Sequence, residues 1–273
     1  MITCKALNKT FESKKDMFDE LRKSKRVLLA EKKASYKSNV ENSLNFIDKG
    51  EVSKNDEANV LSIGDTVKNA INAVYWFDSH EDVHLPKNWN KTAKEQNGKV
   101  YHVINHELKI GSIVGYPKDV KVYVQDVAWK DLGVNFEGKT EVLVGETKMT
   151  EKTNRDAFLA YRDKEPIQHS PRMLYMDFAL AMDSDDPYDK EEKALFDKHI
   201  DKIPNKEKVL EVGYFFAVKE AKLYNEFSTV TFGSNSATTN LDKNNEPSDD
   251  TQQKEAAQAL QQTTKTVLRI LNS

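Results

Sequence analysis

Residues 167–181, Ile-Gln-His-Ser-Pro-Arg-Met-Leu-Tyr-Met-Asp-Phe-Ala-Leu-Ala, constrain this chain more than any other stretch. A polar turn marked by Pro171 feeds a run in which Met173, Tyr175 and Asp177 alternate with Leu174, Met176 and Phe178. The run predicts a strand buried on at least one face. Ser170 stands at its mouth, where a hydroxyl can be held rigidly and stay reachable. A nucleophilic serine needs that setting, provided a histidine comes within hydrogen-bond range in the fold. The plain alternative is a turn serine with His169 as a surface neighbour.

Composition narrows the setting. At 273 residues the chain can bury a sizeable core, as one large domain or two small ones. Charged residues make up 31% against 38% hydrophobic, which predicts long solvated segments beside a compact part. A net charge of −3 gives no case for a nucleic-acid partner. Cys4 is the single cysteine, so no internal disulfide can form, which fits a reducing cytoplasm. No apolar run reaches membrane-spanning length and no signal-peptide core precedes the first charges, so the expectation is a soluble protein with no membrane partner.

Along the chain, residues 1–55 read as a separate, charged helical segment. Ser13-Lys14-Lys15-Asp16 has capping-box spacing, and Met17, Phe18, Leu21, Leu28 and Leu29 fall loosely on one helix side among many cations. Such a helix is unstable alone and is expected to dock, on the body of this protein or on a partner. Residues 39–59 read as a polar linker. Residues 73–77 suggest a strand, followed by His80-Glu81-Asp82-Val83-His84, which matches the H-E-x-x-H pattern of zinc proteases. That pattern works only on a helix running through both histidines, and Pro86 disfavours helical geometry just beyond. Strands are expected at 100–104, 109–114, 120–129 and 141–145. His106 follows the first of these at a fixed yet open position, with His102 as the rival histidine, expected by parity on the same side. A helix is predicted from 150 to 163 and another from 188 to 202. Strands return at 211–218 and 220–232. Residues 236–253 read as a disordered linker, and 254–271 as an amphipathic tail helix.

Four stretches in order now carry a likeness. They are Asn8-Lys9-Thr10-Phe11 leading into the charged helix, then Ile104-Asn105-His106 before Ile110-Gly111-Ser112-Ile113-Val114-Gly115. The third is Gln168-His169-Ser170 with Met173 and Tyr175. The last is Gly213 to Lys222 running into Glu226-Phe227-Ser228 and Gly233-Ser234-Asn235. Over most of residues 1–240 the chain resembles the tailed-phage prohead (capsid maturation) serine protease family.

The resemblance implies an α+β fold: a herpesvirus-protease-like β-barrel flanked by helices, with a helical N-terminal segment and a disordered or helical C-terminal tail. Residues 1–55 would then be a propeptide-like segment, 56–235 the protease domain and 236–273 the tail. It implies a serine endopeptidase, needing no cofactor, that cuts phage scaffold and major capsid proteins and itself inside the prohead in the host cytoplasm. Carried over residue by residue, Ser170 is the nucleophile, His106 the general base and Glu226 the third member, preferred to Glu220. Two departures stand out. Pro171 has no N–H to offer an oxyanion, which leaves Arg172 or a neighbouring loop. Asn225 reads as an extra residue, and a bulge there would redirect Glu226. The competing expectations are a non-catalytic capsid assembly protein and a zinc protease using His80, Glu81 and His84. Whether the chain forms a homo-oligomer stays open.

Overall fold

The computed structural model describes residues 1–35 and 60–241, which belong to one compact unit. The expected linker at 39–59 and the tail helix lie outside the described residues.

The fold is mixed α+β. In chain order the elements are β1 (Ile2–Cys4), β2 (Lys9–Phe11), α1 (Lys14–Ala34), β3 (Thr66–Ala73), β4 (Asp82–His84), α2 (Asn90–Gln96) and β5 (Tyr101–Ile104). Then come β6 (Ile113–Gly115), β7 (Val120–Ala128), β8 (Lys139–Lys148), α3 (Arg155–Arg162) and β9 (Gln168–Met182). The last are α4 (Lys190–His199), α5 (Lys206–Val212) and β10 (Tyr214–Val230).

Helix α1 begins where its cap predicts, with Ser13 Oγ accepting from the Asp16 N–H. Of its two expected docking places it takes the body. Met17, Phe18 and Leu21 are buried against Leu180, Met182, Tyr214 and Phe216. Further along, its cations meet acids of the body: Arg22 reaches Asp189 at 2.9 Å, Lys25 pairs with Glu192, and Lys32 reaches the fully buried Asp82 at 2.8 Å.

The fold is organised by β10. From Tyr214 to Val230 it pairs antiparallel with β9, the strand predicted from residues 173–181, with register shifts between Val218 and Ala221 and between Leu223 and Phe227. Its opposite edge is shared by β4, parallel at residues 216–218, and β5, parallel at 226–229. Between them the chain passes through α2, and two β10 amides that no strand reaches are bonded there: Ala221 N–H to the Asn88 carbonyl and Leu223 N–H to Thr92 Oγ1. Buried amides must be paired, so this crossover lets one strand carry two parallel neighbours. β6 extends the sheet by pairing antiparallel with β5.

A second sheet, in the order β3-β8-β7, is antiparallel throughout. Ile71, Val122 and Leu143 from it share one core with Met173, Leu223 and Phe227 of the first. The two sheets approach closely at Gly145, where a Cβ would fall 2.5 Å from Phe227 Cζ. The described strands form three sheets, none of them closed into a barrel.

Several boundaries differ from expectation: the strand suggested at 73–77 ends at Ala73, and the strands expected at 211–218 and 220–232 are the end of α5 and the single β10. Residues 109–114 are not one strand: Ile110–Ser112 is a 3₁₀ turn and only Ile113–Gly115 pairs. The apolar alternation misleads there because Ile110 points to solvent and Gly111 gives a strand no side chain to pack. The compact part also runs past residue 235. Ala70 N–H donates to the Thr239 carbonyl and Leu241 N–H to the Lys68 carbonyl, so the polar stretch is tied along β3. A polar composition reads as solvated, yet here backbone bonds and the buried Ala237 and Thr238 hold it.

Candidate functional site

His106 does not continue β5. Ile104 to Glu107 form a tight turn closed by the Glu107 N–H to Ile104 carbonyl bond at 3.0 Å, with φ of 51° at Asn105 and 57° at His106. Positive φ at both central residues is the type I′ pattern. Asparagine tolerates it well, but a histidine there is held in a sparsely populated conformation, which the surroundings must enforce. They do so twice. The His106 N–H donates to Ser228 Oγ at 2.8 Å, and its Nδ1 bonds Glu226 Oε1 at 2.8 Å. Ser228 Oγ in turn donates to Glu226 Oε2 at 3.1 Å.

A carboxylate only accepts, so the Nδ1 proton points at Glu226 and Nε2 presents its lone pair. Nε2 is buried and has no hydrogen-bond partner among the described residues. Glu226 itself is fully buried, with its negative charge met by His106 and, at 3.7 Å from Oε1, by Arg172 Nε. An imidazole with one nitrogen locked and the other open is equipped to take a proton.

The register of β9 on β10 decides where Ser170 lies. Ser170 is directly opposite Ser228, and His169 opposite Thr229. Directly opposed residues of an antiparallel pair share a face, their Cβ atoms about 5 Å apart. His169 and Thr229 confirm the parity independently, since both bond the same Tyr161 hydroxyl. Ser170 is therefore on the face of Ser228, whose hydroxyl touches both His106 and Glu226. Ser170 is 6% exposed, and its hydroxyl makes no hydrogen bond to His106 in this structure. Such bonds are often long without substrate and tighten when it binds.

The proline departure is explained by the same register. The Thr229 carbonyl accepts from Asn105 N–H on the β5 side, so alternation turns the Ser228 backbone toward β9. Pro171 is then at a position whose nitrogen faces away from β10, and the ladder loses no bond. The anticipated irregularity near Asn225 is present. Asn225 has φ 65°, and the register shifts between Leu223 and Phe227, whose partners Met173 and Pro171 are only two residues apart. The extra residues preserve parity, so Glu226 shares the face of Ser228. Glu220 is elsewhere, paired with Lys91 at 2.9 Å on the surface.

The parity expectation for His102 needs correction. His102 stacks on Phe227 with ring centroids 4.3 Å apart, and Phe227 faces the core opposite to Ser228. The turn after Ile104 breaks the alternation, so the two histidines are on different faces. His102 bonds Thr147 Oγ1 at 3.0 Å and Thr229 Oγ1 at 2.8 Å, and burial holds it well below the usual histidine pKa, hence neutral. Behind the Ser170 strand it joins a polar network that sequence reading missed. The Tyr161 hydroxyl meets His169 Nε2 at 2.8 Å, Thr229 Oγ1 at 2.7 Å and His102 Nε2 at 3.4 Å. The four residues are spread over 127 positions, and only pairing of β5, β9 and β10 beside α3 gathers them. Removing that hydroxyl with Tyr161→Phe strands several buried partners. The expected cost is about 1–3 kcal/mol, read from the urea midpoint of the variant.

The zinc pattern is not built. Glu81 has φ 61° and Asp82–His84 is β4, so no helix puts the imidazoles of His80 and His84 on one face. Glu81 instead accepts from the Tyr214 hydroxyl, and burial pushes its carboxyl pKa up. Asp78, Asp82 and His84 do bring ligand atoms within 4.8 Å of one another. Asp82 is already engaged by the Lys32 ammonium and the Tyr175 hydroxyl, which supply the positive charge and the donor that a metal would replace. No described helix is long and apolar enough to cross a membrane. Searched against protein families, curated proteins and solved structures, the chain finds no match in any of the three, so its function is argued from this geometry.

Proposed function

We propose that this chain is a serine endopeptidase of the tailed-phage prohead maturation kind. The observation that carries the reading is the buried Glu226 holding a strained His106 by Nδ1, with Nε2 open, on the sheet face that bears Ser170. In this reading Ser170 Oγ attacks the scissile carbonyl as His106 Nε2 takes its proton. The tetrahedral intermediate collapses, the C–N bond breaks, and His106 returns the proton to the leaving amine. Water, activated by the same imidazole, then hydrolyses the acyl ester and restores Ser170. Glu226 fixes the Nδ1 tautomer and stabilises the imidazolium.

The sequence likeness supplies the substrate class: scaffold and major capsid proteins within the prohead, and the chain's own termini. The barrel belongs to this reading too. Two sheets that share one core are compatible with it, the site lying on β9 and β10 at the edge of the turn after β5. Helix α1, docked through Met17, Phe18 and Leu21, would be the propeptide-like part.

The direct test is covalent labelling by an alkyl fluorophosphonate. Mass spectrometry is expected to find the adduct on Ser170, lost in His106→Ala and unaffected by chelator. An adduct that needs zinc, or that falls on another serine, would overturn the proposal. The open Ser170 to His106 geometry favours a second reading, a non-catalytic assembly protein. That reading expects no label, and scaffold left intact with or without Ser170.

A further inference from the structure

Resting on the serine protease reading, we infer that Arg172 is a positioning residue that sets the basicity of His106 through their shared carboxylate. Arg172 and Ser170 are two residues apart on β9 and so lie on one face. The strand opposite is distorted there. The register shift between Leu223 and Phe227 leaves Arg172 without a direct partner and sets it across from the bulge that ends in Glu226. The two extra residues thus leave Glu226 on the site face and set no residue directly against Arg172, so its guanidinium has room beside the carboxylate.

Arg172 Nε is 3.7 Å from Oε1 of Glu226, the same oxygen that accepts from His106 Nδ1. That nitrogen is buried and has no hydrogen-bond partner among the described residues, so the carboxylate is the group that balances it. Two cationic groups therefore compete for one oxygen whenever His106 is protonated. The other groups around the pair are few. Ser228 donates to Oε2 and Tyr101 of β5 is registered opposite Glu226. Glu107, next to His106, is tied up with Lys109 on the surface. Arg172 is the one permanent charge in contact with Glu226 among the described residues.

The physical consequence has a sign. A fixed positive charge near Glu226 offsets part of the field with which the carboxylate would stabilise the imidazolium. Removing the charge leaves Glu226 uncompensated, and His106 becomes the stronger base.

The test titrates the His106 imidazole by NMR in the full chain carrying Ser170→Ala, with His106→Gln identifying the resonance. Adding Arg172→Met is expected to move the His106 titration upward, because the charge that opposes the imidazolium through Glu226 is gone. Arg172→Gln gives the same readout should the methionine variant fail to fold. Arg172→Lys keeps the charge and is expected to hold the pKa within a few tenths of a unit. With Ser170 present, the acid limb of kcat/KM moves up with the titration. An unmoved His106 titration in both neutral variants overturns the inference. A shifted titration in a chain that cleaves nothing upholds the coupling and sinks the protease reading instead.

Discussion

If the chain is the proposed protease, Ser170→Ala is expected to abolish cleavage of co-expressed scaffold and capsid protein, lowering the rate by about 10⁴-fold or more, while the fold stays as it was. The size of the loss follows from the chemistry: without Oγ there is no acyl intermediate, and only binding and oriented water remain. The fold is spared because the Ser170 hydroxyl is not bonded to His106 Nε2, so its removal takes no hydrogen bond from the imidazole. The thermal midpoint is therefore expected within about 2 °C of the parent, a shift of a few tenths of a kcal/mol for a domain of this size. His106→Ala should match the kinetic loss, and the double variant should be no slower than either single one, because nucleophile and base act as a unit. Undiminished processing by Ser170→Ala rules the assignment out. Independent, multiplying losses would show that the two residues do not share a proton.

Glu226→Gln carries the second large effect. The amide keeps the shape of the side chain but can offer His106 either its oxygen or its NH₂. Beside Ser228 and Arg172 it also lacks the charge that balances them. Losing that charge destabilises the imidazolium, and an NH₂ turned to Nδ1 would favour the wrong tautomer. Together these are expected to lower kcat by about 10³- to 10⁴-fold. KM should change little, since Glu226 is fully buried and reaches substrate only through His106. Unlike the serine change, this one also acts on stability. Arg172 loses its buried counter-charge, and an uncompensated charge costs about 3–5 kcal/mol at full burial and less here, where the Arg172 side chain is 28% exposed. Glu220→Gln is the matched control: its partner Lys91 is on the surface, so neither rate nor midpoint should move appreciably. A rate that follows Glu220 and ignores Glu226 would overturn the assignment of the third member.

Much of the scaffold was readable because it is written locally. Ser13 caps α1 through a bond spanning three residues, and the alternation at 120–128 is the nine-residue β7. The strand from Met173 onward is β9, although its pairing starts earlier, at Gln168, through the stretch that reads as a turn. Pro171 suggested a break there, but at a position facing away from β10 it interrupts nothing. The Asn225 irregularity was legible as one residue too many before Glu226. The polar core of His102, Tyr161, His169 and Thr229 was not, since His102 reads as a rival to His106 and His169 as a surface neighbour, and nothing local joins them.

What the chain's own order of residues determined is the set of chemical groups and the local geometry around each: a serine entering a long strand, a histidine leaving a short one, an acid two residues before a serine on the last. What only the tertiary structure decided is which of these meet. His106 and Glu226 are 120 residues apart, and their contact depends on β5 lying parallel to β10, on a left-handed turn lifting His106 out of the strand's alternation, and on a register shift whose two extra residues keep Glu226 on the face of Ser228. Periodicity carries none of this, because the phase of a strand says which side chains share a face but not which other strand that face will adjoin. Register between distant strands is chosen by the packing of the whole core, here Phe227 against Gly145 and His102, and the site inherits its geometry from that choice.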